Sequence, residues 1–218
     1  MVGAHRVQGS SGQESARGDD RATPPPDAPP DGRHLRSERT RTAIVDALLA
    51  LLEAGEVHPP TERIAERAGV SQRSVFHHFR DVEDLLATAA DRQMERVLPT
   101  LRPIGPEGPL PGRVAAYVAQ ICHLYVRIAP VRRAALLAEH TSPTIAARLR
   151  RARAMHRESI GRVFAAEIGG PSPDETLAAL VAATSFAVWE ELVTHQGLPA
   201  AAAERVVHRS VTALLESD

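Results

Sequence analysis

The side chains best suited to chemistry lie between Thr61 and Phe79, in the run TERIAERAGVSQRSVFHHF, and in Arg80 directly after it. Arg73, Phe76, His77 and Arg80 fall at i, i+3, i+4 and i+7, the spacing that puts residues on one face of a helix, while Val75 and Phe79 are four apart and share another. The first face is cationic and aromatic; the second is apolar. A guanidinium such as that of Arg73 binds guanine through two parallel hydrogen bonds, and the Gln72 amide can reach adenine or a phosphate. Ser71 and Ser74 stand near the helix start, where hydroxyls and free backbone amides meet phosphate oxygens. His77 can donate to a phosphate or a base, and Thr61 can do the same from the start of the preceding helix. This is the chemistry of reading duplex DNA, in which no covalent bond is made or broken.

Two short helices must hold that face. Thr61 and Ser71 are both N-cap residue types, and between them Ile64, Ala65 and Ala68 supply an apolar side before Ala68-Gly69-Val70 breaks the period. The result is a helix-turn-helix, whose second helix enters the major groove while the first braces it. An ordinary helical hairpin with a solvated basic face has the same spacing, so the flanks decide between them. A long amphipathic helix precedes the motif, and Phe79-Arg80-Asp81-Val82-Glu83-Asp84-Leu85-Leu86 follows it and opens another.

This order of helix, helix, GVS turn, a helix ending in HHF, an acidic cap and a Leu pair resembles the N-terminal DNA-binding domain of TetR-family transcriptional regulators. The resemblance covers residues 37 to 98, and the rest of the chain only in its pattern of helices. It implies an all-α fold, a three-helix helix-turn-helix domain followed by a helical ligand-binding and dimerisation domain. It also implies that the first helix and the arm before it touch phosphates or the minor groove, making Arg36, Arg39, Thr40 and Arg41 candidates. Two positions depart from the family pattern. Phe76 stands where Tyr is usual, so it offers apolar contact, for example to a thymine methyl, in place of a hydroxyl on phosphate. Val82 stands where a Lys is common. His78, on the flank, reads as a packing or capping histidine.

Composition narrows the rest. Apolar residues make up 43% of the 218, enough for a buried core, but aromatics only 3%, so the core must be Leu, Val, Ile and Ala, which suits helices. A net charge of −1 excludes a general polycation and confines any DNA affinity to a local patch. The single cysteine, Cys122, excludes a disulfide framework within the chain and suits a reducing compartment. The amino terminus has no apolar h-region, and the apolar stretch Leu177 to Trp189 is interrupted and short for a bilayer, so a cytoplasmic protein without a membrane partner is expected.

Along the chain, residues 1–32 are rich in Gly, Ser, Asp and Pro and are expected to form a disordered tail. Residues 33–81 form the helix-turn-helix domain. Arg33, Arg36, Arg39 and Arg41 crowd the start of its first helix, against the macrodipole, which a phosphate backbone alongside would explain. Asp81 can cap a connecting helix over 82–98, with Asp84 three residues on. The Pro/Gly-rich segment from Pro99 to Gly112 separates this from the C-terminal domain, residues 99–218. There a helix carrying Tyr117, Ile121, Leu124 and Ile128 should stop at Pro130, a short one from Arg132 to Glu139 should follow, and then a long one from Ser142 to Ile168. From Pro173 to His195 the apolar residues go nearly all the way round, and a last helix carries Val206, Val207, Val211, Leu214 and Leu215.

A helix apolar on every side needs more cover than a small domain supplies, which points to a second copy of the chain. The resemblance implies the same: its dimers pack their last two helices as a four-helix bundle. A two-fold pair sets recognition helices about 34 Å apart on a near-palindromic operator. The family's larger domain holds a small effector that releases the operator, which would make the protein a repressor. Here Tyr117, His123, Tyr125, His156 and Trp189 place polar atoms on helical stripes as candidate ligand contacts, though a satisfied core histidine is the favoured account of His156. A helical adaptor binding only protein would use the same surfaces without DNA. An enzyme is the less favoured alternative: the ten histidines are scattered, and HExxH, paired Glu-x-x-His and paired Asp motifs are absent, as are a phosphate loop after a strand and a nucleophile elbow. No catalytic residue, metal site or cofactor is expected.

Overall fold

The computed structural model describes residues 32–169 and 171–216, so the tail expected over residues 1–32 lies outside them apart from Gly32. These residues form ten α-helices and no strand: α1 Gly32–Glu53, α2 Thr61–Ala68, α3 Gln72–His78, α4 Val82–Val97, α5 Leu110–Ala138, α6 Pro143–Val163, α7 Ala165–Ile168, α8 Pro173–Ala183, α9 Phe186–Glu190 and α10 Ala200–Glu216.

Local signals place the first four. Gly69, at φ 68°, ends α2 in the left-handed region that a β-carbon disfavours, and its N–H returns to Glu66 O while that of Val70 returns to Ala65 O. Ser71 then caps α3, its Oγ accepting from the Ser74 N–H at 3.2 Å. Asp81 caps α4 through Oδ1, which accepts from the Asp84 N–H at 2.7 Å, while Asp84 Oδ2 reaches back to the Arg80 N–H. Asp81→Ala should therefore lower stability by about 1 kcal/mol in urea unfolding, with little change in helix content. The expected cap at Thr61 is not formed. Pro60 holds the N-cap position and Thr61 is the first helical residue, because Pro60, with its fixed φ and no N–H, begins the helix one residue earlier.

Two cores result. The first joins Ile44, Leu48, Leu51 and Leu52 of α1 to Ile64, Val75, Phe79 and Leu85, and it is completed by Val131, Ala134 and Ala135 of α5 and Ile145 and Leu149 of α6. The second joins Val114, Tyr117, Val118 and Tyr125 of α5 to Ile160, Phe164, Leu180, Trp189, Val207 and Val211. α5 and α6 thus serve both cores, and the helix-turn-helix end rests on the larger domain.

Three expectations change. Pro130 does not stop a helix: α5 continues through it to Ala138, absorbing the separate helix expected from Arg132 to Glu139. Pro130 has no N–H for the carbonyl of Val126, but Val126 is exposed and water can hydrate that carbonyl. Pro130 also marks the residue at which α5 passes from one core to the other. The stretch from Pro173 to His195 is long and apolar enough by composition to cross a membrane, as is α5, yet it is no single helix. Ser185 begins α9 by accepting from the Val188 N–H at 3.2 Å, and a π-helical turn over Glu191–His195 follows. The long helix expected to Ile168 breaks at Phe164, leaving α7 as a single turn.

A candidate DNA-reading face and a polar chain in the larger domain

Recognition begins with which side of α3 faces out. Val75 and Phe79 are 3% and 2% exposed in the first core, whereas Gln72, Arg73, Phe76 and His77 are exposed, Phe76 to 54%. The side chains of Gln72 and Arg73 make no hydrogen bond or ion pair with any described residue. Ser71, exposed, already accepts the capping bond, which leaves its O–H free to donate; Ser74 is half-buried. Arg80 is exposed and leans 3.6 Å from Asp84. His77 lies edge-on to His78, which is half-buried, and burial, with the Arg41 charge beside it, lowers the His78 pKa.

On α1 the four candidates separate. Arg36 and Arg39 are exposed, and the Arg36 Nε donates to the Gly32 carbonyl at 3.2 Å; the Thr40 hydroxyl donates to the Arg36 carbonyl at 3.0 Å. Arg41 turns inward. Its Nη1 donates to the His78 carbonyl at 2.8 Å, its Nη2 to Thr88 Oγ1 at 3.3 Å, and its guanidinium lies 4.3 Å from the centre of the Phe79 ring. Contrary to the sequence expectation, Arg41 is engaged as a strut joining α1, the end of α3, and α4. Thr61, half-buried at the first residue of α2, has a hydroxyl not engaged in capping.

The ligand candidates gather around Thr184, a residue that sequence reasoning overlooked. The Thr184 hydroxyl donates to the Leu180 carbonyl at 2.7 Å, so it must accept from His156 Nε2 at 3.0 Å. On the other side of the ring, His156 Nδ1 lies 3.4 Å from the Tyr117 hydroxyl. The Tyr125 hydroxyl donates to the Thr184 carbonyl at 2.8 Å. Burial lowers the His156 pKa, raises that of Tyr117 to about 12 and raises that of Tyr125 further. His123 lies exposed, apart from this group. Trp189 is 3% exposed and its ring lies 5.9 Å from Tyr125, but its Nε1–H has no partner. Two open clefts lie elsewhere, one of about 400 Å³ beside the loop before α5 and the first turns of that helix, and one of about 80 Å³ between Val114 and His208. Among the described residues no three His, Cys, Asp or Glu are grouped to hold a metal.

Comparison with known proteins bears on the outward face first. The sequence model for bacterial regulatory proteins of the tetR family matches residues 44–89, from the middle of α1 into α4. A comparison with curated proteins found no match. Among solved structures the chain is similar to a transcriptional regulator from Rhodococcus sp. Rha1, with 24% identity and a TM-score of 0.63, covering 83% of this chain and 96% of that one. It is also similar to a protein assigned to the TetR family of transcriptional regulators from Mesorhizobium loti MAFF303099, with 19% identity and a TM-score of 0.56 over the same shares of each chain. At these identities the structural likeness establishes the fold, an N-terminal helix-turn-helix followed by a helical domain.

Proposed function

We propose, for a chain that belongs to the tetR family of bacterial regulatory proteins through residues 44–89, that it works in the cytoplasm as a homodimeric repressor released from a near-palindromic operator by a small effector. One observation carries this reading: α3 buries Val75 and Phe79 and leaves Gln72, Arg73, Phe76 and His77 free on its other side. A helix so anchored presents one cationic, aromatic ridge of the width the major groove admits. Ser71, Ser74, Thr61 and Arg80 flank the ridge and, with Arg36, Arg39 and Thr40, supply the phosphate contacts.

The pairing surface we assign to α8 and α10. Ala178 and Ala182 are exposed on α8, beside half-buried Leu177 and Val181, and α10 carries half-buried Val206, Leu214 and Leu215. Two copies of these helices would cover one another and set the α3 ridges in successive grooves.

Selection of bound fragments from genomic DNA by the full chain tests the reading. A palindromic site with half-sites about one helical turn apart is expected, bound by a particle of twice the subunit mass in light scattering. A lone subunit, or fragments without a shared site, would overturn it. Arg39 and Arg41 then separate phosphate contact from bracing. Arg39→Ala should weaken binding to all sequences alike and reduce the salt slope by about one per half-site. Arg41→Ala should instead cost about 1.5–3 kcal/mol of stability through the lost charged hydrogen bonds and leave that slope unchanged.

A further inference from the structure

Beside the second core stands a half-buried cation, Arg132, that forms no ion pair with a carboxylate among the described residues. Arg132, on α5 two turns past the end of the Tyr117–Tyr125 stripe, has its Nε fully enclosed and without a partner among the described residues, as is the Trp189 Nε1–H. Both border the same ring: the Arg132 guanidinium lies 5.8 Å from the centre of Phe186, and the Trp189 ring 5.7 Å from it. The neighbouring charges do not compensate. Glu139 is held by both terminal nitrogens of Arg153, and Glu190 by Arg133 at 2.8 Å. With both acids engaged by other arginines, neither is left to pair with Arg132. Two enclosed donors without acceptors, one of them charged, cost the folded protein free energy and return nothing within it. Burial also disfavours the charged form of Arg132.

We propose that Arg132 and Trp189 are the recognition end of an effector site for a small aromatic carboxylate. The carboxylate would accept from the Arg132 guanidinium and the Trp189 Nε1–H, and its ring would pack among Tyr125, Phe186 and Trp189, whose centres lie 5.4 to 5.9 Å apart. Phe186 must turn aside to admit it. Phe186 begins α9, a five-residue helix with the break at Thr184–Ser185 before it and the π-helical turn of Glu191–His195 after it, so its segment is not locked into a continuous hydrogen-bond ladder. This inference deepens the effector reading above and rests on it for its regulatory meaning, not for the binding itself.

Trp189 is the single tryptophan of the chain, so emission from the full-length protein reports on the site without DNA. The probes are benzoate, phenylacetate and indole-3-acetate, each beside its neutral amide. The acids are expected to change Trp189 emission saturably and to bind at least about tenfold more tightly than the amides, a charge-assisted pair being the difference. Arg132→Met should erase that preference while melting at the same or a higher temperature, since it removes an unanswered charge; Arg132→Lys should keep a weakened preference. No response to any of the three acids, a preference retained in Arg132→Met, or a marked fall in its melting temperature would overturn the site. If the acids bind but leave a selected operator occupied, the site stands and release by effector fails. If no operator exists, the emission result is untouched.

Discussion

Arg73→Ala is expected to abolish specific operator binding while leaving the fold intact. The side chain is exposed on the outward face of α3 and has no partner among the described residues, so its removal leaves no cavity and no orphaned internal group there. What is lost is a contact to a base edge, about 1–3 kcal/mol for a bidentate pair. In the symmetric dimer proposed above it would be lost twice, giving roughly 2–6 kcal/mol, or about 30-fold to 10⁴-fold in affinity. Titration of wild type and variant against the selected operator at one fixed salt concentration, with circular dichroism melting as the folding control, reads both halves of the statement. Residual binding to random DNA should persist, because the phosphate contacts proposed for α1 and α2 would be untouched. A variant that still discriminates its operator would place base reading on another residue, Gln72 or His77 first.

The outward face was legible in the sequence because its determinants are local. Helical spacing, the Gly69 turn and the Ser71 cap each act within a few residues, and a four-residue period separates Val75 and Phe79 from Arg73 and His77 whatever lies around them. Contacts distant in sequence were not legible. Arg41 belongs by position to the basic run that begins at Arg33, yet it is drawn inward by a carbonyl 37 residues away and a hydroxyl 47 residues away. Pro130 reads as a stop because its missing N–H is a local fact; that the helix continues depends on Val131, Ala134 and Ala135 being gripped by the first core. Thr184 and Ser185 interrupt an apolar run, a signal sufficient to suggest a break, but their pairing with His156 depends on α6 lying alongside. Arg132 gave a weaker sign: it is one of two adjacent arginines, and successive residues on a helix point about 100° apart, so one of the pair had to face a different environment from the other.

The largest loss of stability is expected from Arg113→Ala, at a position absent from every sequence-level reading. Arg113 is the only lysine or arginine between Arg102 and Arg127, and Glu167 the only acid between Glu158 and Asp174, so each is a lone charge in an apolar neighbourhood. The structure brings them together at 8% and 17% side-chain exposure. Both oxygens of Glu167 accept from the guanidinium, whose Nη1 also donates to the Val163 carbonyl at 2.7 Å and whose Nε donates to the Gly108 carbonyl at 3.1 Å. One side chain therefore ties the loop before α5 to the break between α6 and α7. Removing it strands a carboxylate and two carbonyls with little water, at a cost of about 3 kcal/mol. In a chain of this size that corresponds to a fall of roughly 6–12 °C in melting temperature. The pH dependence identifies the cause. The hydrogen bonds from Arg113 hold the Glu167 pKa below the usual carboxylate range. The stabilisation is thus complete above that range and is lost as pH falls through the lowered value, and Arg113→Ala should flatten this acid limb. Because the pair braces the second core and α3 rests on the first, the variant should still bind operator well below its own melting temperature. A variant melting within about a degree of wild type, or one that loses DNA binding while still folded, would show that the two cores do not divide the work in this way.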